Sequence, residues 1–98
     1  MASEIILKPL AEMDINEAAE WYYNRSEKLT KAFFNSVESA MLSISKFPEI
    51  YQKRYKNVRV VFISRFPYGI YYTIEEGRIV IHAVLHTKRQ ARIALSRL

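Results

Sequence analysis

Residues 58–89 read VRVVFISRFPYGIYYTIEEGRIVIHAVLHTKR, a pattern that points to a β-sheet. Apolar side chains recur at every second position, the period of a strand, in three segments: 58–64, 68–75 and 78–86. Arg65-Phe66-Pro67 separates the first two. Glu76-Gly77 separates the last two and predicts a tight hairpin, because glycine accepts the positive φ such a turn requires. Both alternating sets are largely apolar: Val58, Val60 and Phe62 against Val61 and Ile63; Ile70, Tyr72 and Ile74 against Tyr71; Ile79, Ile81 and Leu85 against Val80 and Val84. A sheet apolar on both sides needs cover on both sides.

Working outward, the residues before the sheet supply one cover. Ile5 to Leu7 reads as a short strand closed by Pro9. A helix starts either at Pro9, which suits a first helical position, or at Asp14, which with Glu17 resembles a capping box. Ala11, Ile15, Ala18 and Tyr22 recur at helical spacing up to about Tyr23. Leu29, Phe33, Val37, Ala40, Ile44 and Phe47 draw a longer stripe, with Ser26 as N-cap and Pro48 as terminator. The short Asn24-Arg25-Ser26 connection predicts an antiparallel helix hairpin. The tail at 88–98 reads as a short basic helix, with Ala91, Leu95 and Leu98 on one face. The expected class is α+β, in one domain over residues 1–98: an N-terminal strand, a helix hairpin on one face of a mainly antiparallel sheet, and a basic tail. The periodicity leaves open which sheet face lies under the helices. A hairpin covers only one, and nothing but the short tail remains to shield the other, so the expectation is a second apolar face open to a protein partner.

Composition narrows the chemistry. Of 98 residues none is cysteine, which excludes disulfide scaffolds, thiolate metal sites and cysteine nucleophiles. The longest uncharged run, Phe66 to Ile74, has nine residues, well short of the ~18 a membrane span needs, and MASEIILK lacks the pattern of a secretory signal. The expectation is a soluble cytoplasmic protein. The net charge of +5 is unevenly placed: residues 1–51 carry five basic and eight acidic side chains, residues 52–98 ten basic and two acidic. A C-terminal half of +8 suits a polyanion or an acidic protein segment.

Few side chains invite catalysis. His82 and His86, four apart on one strand, are expected on one face about 13 Å apart, too far to share a metal ion. His82 reads as packed; His86, beside Thr87-Lys88-Arg89, could carry a proton near phosphate or be structural. Alternation sets Arg59 and Arg65 on one face with Val61 and Ile63, where they could hold phosphate or carboxylate or lie as edge charges. Lys53, Arg54 and Lys56, interleaved with Tyr51 and Tyr55, fit an acidic ligand or an ordinary solvated loop. Trp21 and Tyr22 read as core or hairpin contacts. Glu12, Glu17 and Glu20 read as the wet face of the first helix. No phosphate-binding glycine loop and no serine nucleophile elbow is present.

The early LKPLAEMDINEAAEWYY, the helical AFFNSVESAMLSISKFPEIY and RVVFISRFPYGIYYTIEEGRIVIHAVLHTKR together resemble the RelE/ParE superfamily of type II toxin-antitoxin toxins, and within it the ParE-like branch. The specific part is Arg65-Phe66-Pro67-Tyr68, Tyr71-Tyr72, and His86 with Lys88-Arg89. The resemblance implies a growth-arresting toxin without cofactor or metal, held by a cognate antitoxin. RelE-like members cut ribosome-bound mRNA. Superposing the strand motifs places Gly69 where some of those nucleases have Arg, and Thr87 and Lys88 near their terminal His and Tyr. The resemblance therefore points to the ParE mode, binding to DNA gyrase; ribosome-dependent cleavage and a non-toxic partner-binding relative are the alternatives. On this reading Arg65, Tyr68, His86, Lys88, Arg89 and Arg92 contact the target. Arg59, Val61, Ile63, Tyr71, Val80 and Val84 contact the antitoxin. Arg59, Arg65 and His86 are the catalytic candidates if cleavage occurs.

Overall fold

A computed structural model describes residues 3–89 and 92–98. The chain opens with β1 (Ile5–Leu7), passes through α1 (Pro9–Tyr23) and α2 (Glu27–Lys46), then forms β2 (Lys53–Tyr55), β3 (Val58–Phe62), β4 (Tyr68–Glu75) and β5 (Arg78–His86), and ends in α3 (Arg92–Leu95). The strand order is β1-β5-β4-β3-β2. Pairing is antiparallel except between β1 and β5, where the helix hairpin makes the crossover that parallel strands require. This is the expected α+β architecture with one added strand. The Lys53-Arg54-Tyr55 segment forms a short, exposed, charged edge, which discourages pairing with another sheet.

Helix α1 starts with Pro9 at its first turn, so the Pro9 start holds and Asp14 lies inside the helix. Ser26 occupies the N-cap position of α2 in extended geometry, although its hydroxyl makes no capping bond. The α2 stripe is buried at Phe33, Val37, Ala40 and Ile44, while its ends, Leu29 and Phe47, are exposed. Glu76 and Gly77 both take positive φ, 53° and 76°, and turn β4 into β5 as the sequence predicts. Strand β3 stops at Phe62, before Arg65, which has a φ of 71°.

The hairpin packs on the face formed by Val61, Ile63, Ile70, Tyr72, Ile79, Ile81 and Val84. Small Ala11, Ala18 and Ala19 on α1 are all buried against this face. Against it Tyr22, Phe33, Phe66 and Tyr68 form an aromatic cluster with ring centroids 5.0–6.4 Å apart, edge to face in every pair but the tilted Tyr22–Phe33. Tyr72, fully buried, donates its hydroxyl to Pro48 O at 2.7 Å, and burial pushes its phenol up to about 12.

The second face corrects the expectation of an open apolar surface. Val58, Val60, Tyr71, Ala83 and Leu85 form a cluster closed by Ala94, with Ile93 and Leu95 packed against it. A single turn of helix from the chain's own terminus covers this face, apart from Phe62, which is 52% exposed. Its anchor is ionic. Arg97 donates from Nη1 and Nη2 to Asp14 Oδ2 and Oδ1 at 2.6 and 3.2 Å, and from Nη1 to His82 O at 3.1 Å. Asp14 Oδ2 also accepts the Val84 N–H at 3.0 Å. Beyond Ile81, the last residue paired with β1, the β5 edge has no neighbouring strand among the described residues, and these two side chains satisfy its backbone instead. Ala91, placed by its spacing on the apolar face of the tail, lies outside the described residues.

Candidate functional site

The positions of the candidate residues follow from a β-bulge. Tyr71 pairs with Ala83 and Tyr72 with Ile81, leaving His82 as the extra residue. Beyond it every β5 side chain changes face. Val84 joins the helix side and Leu85 the α3 side, the reverse of the simple alternation. The two histidines separate accordingly, which corrects their expected common face. His82 is buried on the α3 side, where its Nε2 lies 2.8 Å from Thr73 Oγ1, which donates to Glu75 Oε2 at 2.6 Å. Burial holds its imidazole below the ordinary range, with Lys8 acting in the same sense and Glu75 against.

His86 faces α1. It stands opposite Tyr68 in the register, with the rings edge to face and 5.3 Å between centroids. Together with Trp21, Tyr22, Pro67 and Arg89 they line a groove of about 540 Å³, with Asp14 and Glu17 on its α1 wall. Thr87 N–H donates to Pro67 O at 2.8 Å, tying the groove's end together. Lys88 N–H donates to His86 Nδ1 at 3.1 Å, so the proton of the neutral ring sits on Nε2. That nitrogen is a donor, suited to binding an acceptor and unsuited to removing a proton. Burial raises the Tyr68 phenol, with Tyr22 adding and Arg89 opposing, so at neutral pH Tyr68 also presents O–H. Trp21, expected in the core or hairpin, is 51% exposed on the groove wall, and the Arg25 guanidinium lies over its ring at 3.4 Å.

The expected target residues fall into three places. Tyr68, His86 and Arg89 share the groove, with exposed Lys88 beside it. Arg65 lies apart, against Lys28 and Lys31 of α2. Arg92 opens α3, the helix on the other side of the sheet. Arg59 and Arg65 form no joint site: alternation ends before Arg65, and Arg59 donates to Glu49 O and Tyr51 O at 3.1 and 2.7 Å, stapling the loop after α2. Nor do the expected antitoxin residues make one exposed patch. Val61, Ile63 and Val84 lie beneath the helices, Tyr71 packs in the cluster under α3, and Val80 is buried as well. The sequence reading missed the Asp14–Arg97 pair. Its signal was there: Asp14 stands three residues after Ala11 and four before Ala18, a core-facing position for a carboxylate.

Gly69 is buried in β4, and a Cβ there would come within 3.2 Å of the Phe62 ring and of Val60. An Arg at this point would have to push the phenyl ring aside. Among the described residues no cluster of three His, Asp or Glu side chains could hold a metal ion, and no helix is long and apolar enough to cross a membrane.

A family model described as the ParE toxin of the type II toxin-antitoxin system, parDE, matches residues 5–91. The chain belongs to the ParE toxin family. A solved structure from the chromosomal ParDE toxin-antitoxin system of P. aeruginosa shares the fold, with a TM-score of 0.74 over 87% of this chain and 96% of that one, at 16% identity. No curated protein sequence matches the chain. The ParE match covers both walls of the groove, from α1 to Arg89, and a type II system implies an antitoxin partner.

Proposed function

We propose that this ParE-family protein is a toxin that inhibits DNA gyrase by binding, with no bond-making step of its own, and that a cognate antitoxin neutralises it. The observation that carries the reading is the protonation pattern of the groove. Tyr68 is held as a phenol, and His86 has its Nδ1 occupied by the Lys88 N–H, so both present donors and neither a ready base. Cleavage of RNA through its 2′-hydroxyl needs a base, an acid and a cation at the phosphate; Arg89 supplies the cation and Tyr68 and His86 the donors, while Asp14 is held by Arg97 and the Val84 N–H, so that Glu17 is the one carboxylate left on the groove wall. A groove walled by Trp21, Tyr22 and Tyr68, with Arg89 at its edge and Glu17 opposite, has the aromatic character and mixed charge of a protein-binding hot spot. Arg65, Lys88 and Arg92 contribute to target binding as outlying cations.

The sheet residues Val61, Ile63, Tyr71, Val80 and Val84 serve as core, so we place antitoxin contact on the exposed apolar stripe of α1, Leu10, Met13 and Trp21. The purified chain should block gyrase supercoiling, and Tyr68→Ala with His86→Ala should restore it without loss of helical signal. Uninhibited supercoiling by the host enzyme at saturating toxin would overturn the reading. The second reading, ribosome-dependent endonuclease, keeps support from Arg89 beside His86; intact messages after induction of the toxin would remove it.

A further inference from the structure

A second groove lies on the other helix, and the gyrase reading uses only one of its lining residues, Arg65. Successive turns of α2 present Lys28, Lys31 and Ser36 to the Ser64-Arg65 bend, enclosing about 420 Å³. Its floor is small, formed by Ala32 and the buried Ser36, which is 7% exposed. Three cations line it and no carboxylate does. Among the described residues none of the three makes an ion pair. Lys28 stands in the first turn of α2, where the helix dipole makes the potential positive and Glu27 is the acidic neighbour. Arg65 has a φ of 71°, in the left-handed region that is strained for a residue bearing a Cβ. Glycine would hold that turn at lower cost, and strain of this kind collects where a side chain is needed for binding.

We propose that this groove is a phosphate site. Converging Lys and Arg donors with the hydroxyls of Ser36 and Ser64 match a tetrahedral oxyanion, whose several acceptor oxygens take more donors than a carboxylate can. The groove is open and larger than one phosphate needs, so a phosphodiester of a nucleic-acid backbone fits it with room for the adjoining sugars. Free phosphate is the other source of the same chemistry. The site does not depend on what the Tyr68–His86 groove engages.

The test uses the full chain and two probes, a short labelled DNA duplex of arbitrary sequence and inorganic phosphate. Duplex affinity is followed by anisotropy across a salt series. Phosphate binding is followed by amide shifts at Ser36, Ser64 and Arg65. The variant K28S/K31S/R65G should reduce the log–log salt slope by about 2–3, at roughly 0.9 per cation contact, and abolish the phosphate-induced shifts. Arg65→Gly alone should weaken both probes while leaving the melting temperature equal or higher, which separates lost binding from lost folding. Duplex binding that greatly exceeds phosphate binding assigns the site to a nucleic-acid backbone; phosphate shifts without duplex binding assign it to a free oxyanion. A salt slope and amide shifts unchanged in the triple variant would overturn the proposal.

Discussion

Replacing Arg97 by Met tests how the terminal helix is held. The substitution keeps most of the aliphatic stem and removes the guanidinium that contacts both Asp14 oxygens and the His82 carbonyl. Two acceptors then lose their partner. The Asp14 side chain is 7% exposed, and its only remaining contact from β5 is the Val84 N–H. Removing one member of a buried pair costs about 3–5 kcal/mol. The Arg97 side chain is 16% exposed and solvent reaches part of the pair, so we expect the lower figure discounted, about 2–3 kcal/mol. For a domain of this length that lowers the melting temperature by on the order of 10–20 °C. The companion change is Asp14→Asn, whose side-chain oxygen can still accept from Val84 N–H while carrying no charge. The double variant D14N/R97M should therefore be more stable than R97M, recovering roughly half of the loss. Urea unfolding followed by circular dichroism measures all four proteins. A cost below about 0.5 kcal/mol for R97M, or strict additivity of the two changes, would show that the pair does not hold the tail and that the second sheet face is sealed by apolar contact alone.

Three further outcomes follow. Burial depresses the His82 imidazole below its unfolded value near 6.5, so the folded state binds fewer protons there; stability should be full above about pH 6.5, fall as pH drops below it and level off beneath the folded pKa. His82→Gln should flatten that fall in urea titrations at successive pH values, and an unchanged profile would exclude His82 as its source. Ala94, 1% exposed between α3 and the sheet, should not tolerate Glu: we expect a loss on the order of 2 kcal/mol and increased binding of an apolar dye to the uncovered face, and an unchanged dye signal would contradict the packing. Gly69→Ala should stay within about 1 kcal/mol of the parent in the same unfolding assay, since the entropic gain opposes the 3.2 Å approach to Phe62 and Val60; a larger loss would mean that the exposed Phe62 ring cannot yield.

Much of the fold was legible because it rests on local rules. The two-residue period of 58–86, the glycine turn after Glu76 and the helical stripe through Phe33 and Ile44 each depend on neighbours within a few positions. The β2 strand was not legible: Lys53-Arg54-Tyr55 lacks apolar alternation and is a strand only because the β3 edge pairs with it. Within the groove, Tyr68, His86 and Arg89 were visible as a motif, whereas Trp21 was read as core or hairpin because spacing alone sets it at the edge of the α1 stripe.

Element order, the α+β class and the family follow from periodicity, turn residues and motif, all of which are carried by adjacent positions. Which residues meet depends on packing in three dimensions. One unpaired residue, His82, reversed every side chain after it and carried His86 to Tyr68, and such a slip leaves no mark in an apolar alternation where both faces are buried. Asp14 and Arg97, 83 positions apart, became partners because α1 and the tail converge on the same bare strand edge, a coincidence in space that no spacing along the chain encodes.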